Sequence, residues 1–250
     1  MKNLFDVKDK VVLLTGAAGF LGKHMGCMLT DQGAKVIGLS KSDYVHRLDY
    51  AWSFQSNLYN REETVSILTM ILKKYKVDVL INNAYDMSEA TGFGVKNALT
   101  GEHWKNAGAC LNWTVLLTDI VSEQMRKDDS IINISSMYSL VSAQTDMYVG
   151  TDYRNPITYC AMKGAINSIT RRYAEILGSR GVRVNSVSPG AFPNESVTDD
   201  MFIERLKDNS VLNRVGKPEE LVGIILYLAS QASTFTTGQN FVIDGGWTCV

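Results

Sequence analysis

The sequence predicts an α/β fold: a doubly wound parallel sheet in three layers, built as one domain over residues 1–250. Three observations lead there. Short apolar runs alternate with longer amphipathic stretches along the chain, the pattern of strands and crossover helices that cover both faces of a parallel sheet. A glycine-rich turn joins the first apolar run to the first amphipathic stretch. Polar clusters recur where the apolar runs stop, the place where ligands bind in open parallel sheets.

Val11-Val12-Leu13-Leu14 reads as a buried strand that stops at Thr15-Gly16. Gly16-Ala17-Ala18-Gly19-Phe20-Leu21-Gly22 then opens a helix to about Gln32. Gly33 ends it and Lys35 to Leu39 is the next strand. This strand–turn–helix–strand unit is the context a dinucleotide site requires. Glycines let the backbone approach a pyrophosphate, and the helix start offers free N–H groups. A strand near Ala51–Gln55 and a helix from Arg61 to Tyr75 follow, then a strand Val77–Ile81 that stops at Asn82-Asn83-Ala84. A long helix covers about Glu102–Arg126, and Ser130–Ile134 is a strand stopping at Ser135-Ser136. A helix carrying Tyr159 runs over about 157–177, and the strand Val182–Val187 stops at Ser188-Pro189-Gly190. After a loop and short helices, a helix spans Pro218 to about Ala229, and Gln239–Ile243 is the last strand.

With 45% hydrophobic residues the chain can fill a large core. A net charge of −1 gives no electrostatic case for nucleic acid or a membrane surface. No apolar run is long enough to span a bilayer, and Met1–Asp6 lacks the apolar centre of a signal peptide. Cys27, Cys110, Cys160 and Cys249 are scattered, and His24, His46 and His103 cluster with nothing. The expectation is a cytoplasmic protein without metal or disulfides.

Tyr159 and Lys163 lie four apart and so share a helix face, one turn apart. A free phenol titrates near pH 10, and a nearby ammonium lowers that value. The pair suits a general acid/base that moves a proton on and off a substrate oxygen. Taken alone the spacing is common on surface helices.

These residues together resemble the short-chain dehydrogenase/reductase family, in its short single-domain, Rossmann-like branch. The resemblance covers nearly the whole chain. It is carried by Thr15-Gly16 with its glycines, Asn82-Asn83-Ala84, Asn112, Ile134-Ser135-Ser136, Tyr159 with Lys163, Arg183-Val184-Asn185, Pro189-Gly190 and Asp244-Gly245-Gly246. It implies a catalytic set of Asn112, Ser136, Tyr159 and Lys163. Tyr159 would pass the proton and Ser136 would bind the substrate oxygen. Lys163 would hold the nicotinamide ribose and lower the Tyr159 pKa, and Asn112 would hold a water linking Lys163 to solvent. The hydride chemistry belongs to the cofactor. The implied cofactor-binding residues are Gly16, Gly19, Phe20, Leu21, Ser40, Lys41, Asn57, Leu58, Asn83, Ala84, Tyr85, Tyr159, Lys163, Pro189, Gly190 and Phe192.

The chain departs from the family pattern at three places. Phe20 stands where that branch usually has its second glycine. Tyr85 replaces the glycine after Asn-Asn-Ala, and Asn57 replaces an Asp, keeping an acceptor for adenine. At the end of the second strand, Ser40, Lys41 and Ser42 suit a ribose 2′-phosphate, where an acidic residue would select the free 2′-OH. NADP(H) is therefore expected over NAD(H), although Ala18 is not basic.

The stretch from Ser136 to Tyr159 is longer than the family usually has. An insertion over about 137–157, with Tyr138, Gln144, Asp146, Tyr148, Asp152, Tyr153 and Arg154, should form one wall of a substrate pocket. Residues 191–213 should form the other, as a lid. The resemblance is nearest to oxidoreductases of bacterial surface-sugar and nonulosonate synthesis. It implies a polar carbonyl or alcohol substrate, a sugar or nucleotide-linked sugar, and a homo-oligomer, tetramer or dimer, paired through the long helices. The alternatives are reduction of a β-ketoacyl thioester, or a silent nucleotide-binding scaffold.

Overall fold

A computed structural model describes residues 3–85, 102–151, 155–197 and 199–250. Seven parallel strands form one sheet in the order β3-β2-β1-β4-β5-β6-β7. They are β1 Val11–Thr15, β2 Lys35–Ser40, β3 Trp52–Gln55, β4 Val79–Asn82, β5 Ser130–Ile134, β6 Arg183–Pro189 and β7 Asn240–Ile243. The order reverses between β1 and β4, the switch point where a cleft opens beyond the strand ends. The helices are α1 Phe20–Asp31, α2 Arg61–Lys74, α3 Glu102–Ser122, α4 Ile157–Gly178, α5 Asp200–Asp208 and α6 Val222–Ala229.

Successive strand side chains point to opposite faces. Val12, Leu14, Val79, Ile81 and Ile132 pack with Met25 and Leu29 of α1 and Ile225 and Leu228 of α6. Leu13, Leu80 and Ile131 pack with Leu68 and Ile71 of α2, Leu117 and Val121 of α3, and Ile166 and Leu177 of α4. Both faces are thus buried, which is why the strands read as unbroken apolar runs. A polar rung crosses the second layer. Asn82 Nδ2 donates to Asn133 Oδ1 (2.8 Å) and Thr118 Oγ1 (3.2 Å), and Asn133 Nδ2 donates to Thr170 Oγ1 (2.9 Å).

The element boundaries differ most from expectation in two places. α3 stops at Ser122, four residues early, because the chain tightens: Gln124 N–H bonds Val121 O and Met125 N–H bonds Ser122 O. The helix expected from Pro218 opens as a 3-10 turn, Pro218–Leu221, before α6.

A third cluster, away from the sheet, joins the two expected substrate walls. Met137, Tyr138, Met147 and Tyr148 of the insertion pack with Phe202 and Leu206 of α5 and with Trp247. Tyr138 and Tyr148 share a hydrogen bond at 3.0 Å between their hydroxyls. Arg205 donates to the Val149 carbonyl and to Met147 O (3.2 Å), so α5 is tied to the insertion. Trp247, near the C-terminus, is 4% exposed inside this cluster. Among the described residues no helix is long and apolar enough to cross a membrane, and no group of His, Cys, Asp and Glu could hold a metal. Asp152, Tyr153 and Arg154 lie outside the described residues.

Candidate active site

The cleft begins at the glycine turn. Gly16 takes φ +63°, and a Cβ there would lie 2.8 Å from Ala84 Cα. A Cβ on Gly22 would lie 2.1 Å from Gly16 O. The turn therefore closes only with glycine at both places. Gly19 caps α1 without a side chain, so the first N–H groups of the helix face the cleft unshielded by a capping oxygen.

Two further side chains hold this turn: Thr15, which the sequence marks as the end of the first strand, and Tyr50, which it does not mark. Thr15 Oγ1 accepts from Asn83 N (3.0 Å) and Ala84 N (3.1 Å). The Asn83 amide in turn donates to Thr15 O (3.1 Å) and Gly16 O (3.2 Å), so its donors shape the turn. Tyr50 donates to Ala17 O at 3.0 Å and packs against Gly26 and Gly38. Tyr50→Phe is expected to cost about 1 kcal/mol, one net hydrogen bond, seen as a lower urea midpoint.

From the turn the cleft runs in both directions, with a volume of about 780 Å³. One end is lined by Ser40, Lys41, Ser42, Asn57, Leu58 and Tyr59. Lys41 Nζ lies 5.7 Å above the Tyr59 ring, which meets Trp113 edge-on at 4.9 Å. Asn57 Oδ1 accepts from Tyr59 N (3.1 Å) and so fixes this corner. The other end is lined by Tyr85, Ser136, Tyr159, Lys163, Pro189, Gly190 and Phe192. All sixteen expected cofactor residues line this one cleft, with Gly19, Phe20, Leu21, Asn83 and Ala84 between its ends. Ala18, Gly22, Ser42, Tyr59, Trp113, Ile134, Ser135 and Asn194 line it as well.

The strand ends position the reacting groups. Ser135 Oγ donates to Lys163 O (2.9 Å) and Lys163 Nζ donates to Ile134 O (2.9 Å), so both the backbone and the side chain of Lys163 are pinned to β5. Ser136 Oγ accepts from Tyr138 N (3.2 Å), and its hydroxyl acts on the Tyr159 phenol to lower its pKa. Lys163 Nζ lies 5.6 Å from the Tyr159 ring centroid.

Asn112 does not join them. It is exposed on α3, while Cys110, Trp113, Leu117 and Val121 form that helix's buried stripe. Two residues along a helix turn the side chain by about 200°, so when Cys110 faces inward Asn112 faces solvent. The residue α3 presents toward the pair is Cys110, whose charge would raise the pKa of both Tyr159 and Lys163.

The expected lowering of the Tyr159 pKa is also not what the geometry gives. Burial pushes the phenol up to about 12, only partly offset by the Ser136 hydrogen bond. Burial also brings Lys163 down to about 8. A water-poor pocket disfavours both charged forms. At neutral pH Tyr159 holds its proton and is poised to donate it.

Comparisons with known proteins place the chain in a family. A family model described as Enoyl-(Acyl carrier protein) reductase matches residues 16–248. The 3-oxoacyl-[acyl-carrier-protein] reductase of Thermotoga maritima is 30% identical over 96% of this chain and 98% of its own. The chain belongs to the short-chain dehydrogenase/reductase family. Among other family members, the 5-keto-D-gluconate 5-reductase of Escherichia coli is 29% identical over 98% of each chain. A short-chain dehydrogenase of Leptospira borgpetersenii, solved with bound NAD+, superposes with a TM-score of 0.84 at 29% identity, covering 99% of this chain and 96% of that one. The seven-stranded parallel sheet is the fold these proteins share.

Proposed function

We propose that the protein is a cytoplasmic, NADP(H)-dependent reductase of a polar carbonyl, with Tyr159 as the proton donor. The carrying observation is the convergence of Ser136, Tyr159 and Lys163 at one end of a cleft whose middle is a glycine turn. The residues fit a nicotinamide dinucleotide. The glycine turn leaves a cradle that a Cβ at Gly16 or Gly22 would fill, the open start of α1 suits a pyrophosphate, and Pro189, Gly190 and Phe192 line the catalytic end. When bound, the cofactor supplies the hydride.

The chain's own residues do the rest. Ser136 and Tyr159 hydrogen-bond the substrate oxygen. Tyr159 delivers its proton as negative charge grows there, and Lys163 as an ammonium stabilises the phenolate left behind. The raised phenol pKa favours the reductive direction. Cys110, not Asn112, stands nearest this group on α3, so no Asn-held water is part of the reading.

The choice of NADP(H) rests on Ser40, Lys41 and Ser42, which line the far end with no acidic side chain among the lining residues there. The solved Leptospira relative carries NAD+, so the point is tested directly. Following nicotinamide fluorescence, NADPH is expected to bind more tightly than NADH. Lys41→Ala should weaken NADPH about tenfold, one hydrogen bond to a charged group in a partly exposed site, and leave NADH unchanged. Equal loss for both would make Lys41 a general surface cation.

The substrate class proposed is a sugar or nucleotide-linked sugar, on the polar cleft end with Ser136 and Asn194 and on relatives such as the 5-keto-D-gluconate reductase. The Thermotoga relative keeps a β-ketoacyl thioester as the second reading. A homo-oligomer belongs to the same proposal and is read by sedimentation.

A further inference from the structure

Lys163 carries a charge in a place that does not favour one. Its side chain is 4% exposed, and among the described residues no carboxylate pairs with it. A buried lysine in such surroundings tends to release its proton. Yet the proposed reaction needs the ammonium. Two aromatic rings lie against it. The Tyr159 centroid is 5.6 Å from Nζ and the Tyr85 centroid is 5.5 Å away. The two rings meet edge-on at 5.1 Å and 66°. An aromatic face is electronegative and attracts a cation within about 6 Å, more strongly where water is excluded.

Tyr159 reaches Lys163 from the same helix. Tyr85 comes from the loop after β4, held by the bonds that Asn83 and Ala84 make to Thr15. We propose that Tyr85 is a positioning residue for the acid/base pair: its ring lies beside that of Tyr159 on one side of the Lys163 ammonium, as near to Nζ as the Tyr159 ring is, and helps keep it protonated in the cleft. This rests on the reading of Tyr159 as proton donor. Among the described residues, the groups that face Lys163 are the Ile134 carbonyl from β5, Tyr159 from α4, Tyr85 from the β4 loop and the Cys110 thiol from α3. Of these only Tyr85 and Tyr159 offer a ring, and the Tyr159 hydroxyl is committed to the reaction. The Tyr85 ring, rather than its hydroxyl, is the active part.

The test uses Tyr85→Leu, which keeps bulk but removes the ring, and Tyr85→Phe, which keeps the ring. The lysine ¹³Cε resonance of Lys163, assigned by its disappearance in Lys163→Arg, is followed against pH in the cofactor-free protein. The Lys163 midpoint is expected to fall by about half a unit to one and a half units in Tyr85→Leu and to stay put in Tyr85→Phe. The alkaline limb of kcat/KM should move down in step. A parent-like or raised midpoint in Tyr85→Leu overturns the proposal, as does a Phe variant that behaves like Leu. Tyr159→Phe separates the two readings. Full turnover in that variant would sink the acid/base assignment itself. A dead Tyr159→Phe beside a parent-like Tyr85→Leu would sink only the role of Tyr85.

Discussion

Tyr159→Phe should abolish turnover while leaving the protein folded and able to bind nucleotide. Among the described residues at the catalytic end, the phenol is the group that interacts with both Ser136 and Lys163. Its removal takes away the proton donor, worth on the order of 10³-fold in kcat. The ring remains to pack against Tyr85. Ser136 keeps its bond from Tyr138 N, so the stability change should stay within about 1 kcal/mol. The parent's pH profile follows from the same geometry. Tyr159, raised to about 12, stays protonated across the working range. Lys163, lowered from 10.5 to about 8, sets the alkaline limb. Activity is therefore present below about pH 8 and lost as pH rises through it. Stopped-flow reduction by NADPH across pH 6–10, a range chosen as roughly two units either side of the Lys163 value, reads both effects. Loss of rate on the acid side, with full activity at high pH, would mean the ammonium is not required.

Gly22→Ala should cost most of the nucleotide affinity. The new methyl would sit 2.1 Å from Gly16 O and 2.9 Å from Asn83 Nδ2, far inside contact distance. The turn must open, and the two bonds from the Asn83 amide to Thr15 O and Gly16 O open with it. A displacement of about 1 Å in such a cradle costs on the order of 100-fold, and overpacking costs about 1–3 kcal/mol of stability. Gly164→Ala is the internal control. It lies in α4, where a Cβ meets nothing within 4 Å, and should stabilise by about 0.5–1 kcal/mol without touching binding. Calorimetric titration with NADPH and urea midpoints for both variants give the comparison. Equal affinity in Gly22→Ala and the parent would mean the turn is not the phosphate cradle.

Why some of this was legible in the sequence and some not has a physical basis. Strands buried on both faces announce themselves as apolar runs, and polar residues at their ends mark the cleft. Tyr159 and Lys163 share a helix face by spacing alone. Asn112 failed because its assignment followed position along the chain, whereas a helix decides by face. The buried stripe through Cys110, Trp113 and Leu117 turns Asn112 outward. The partners of Thr15, and Tyr50 altogether, were invisible because their work is done on residues far along the chain: Asn83, Ala84 and Gly26. The direction of the Tyr159 shift was misread for a related reason. The Tyr–Lys spacing reports the neighbouring charge, while the dominant effect is burial, which belongs to the assembled fold. Tyr85 stood out as a departure from the family pattern, yet its place beside both Tyr159 and Lys163 needed the fold to bring two distant segments together.

The measurement that tests the account most directly is NADPH oxidation by the parent and Tyr159→Phe across one panel: polyhydroxylated ketones such as 5-keto-D-gluconate, nucleotide-linked keto sugars, and a β-ketoacyl thioester. The parent is expected to turn over a polyhydroxylated or nucleotide-linked carbonyl, and the variant none. Turnover on the thioester alone would move the substrate to the second reading. A parent that binds NADPH yet reduces no member of the panel, or a Tyr159→Phe protein that keeps the parent's rate, would contradict the central claim.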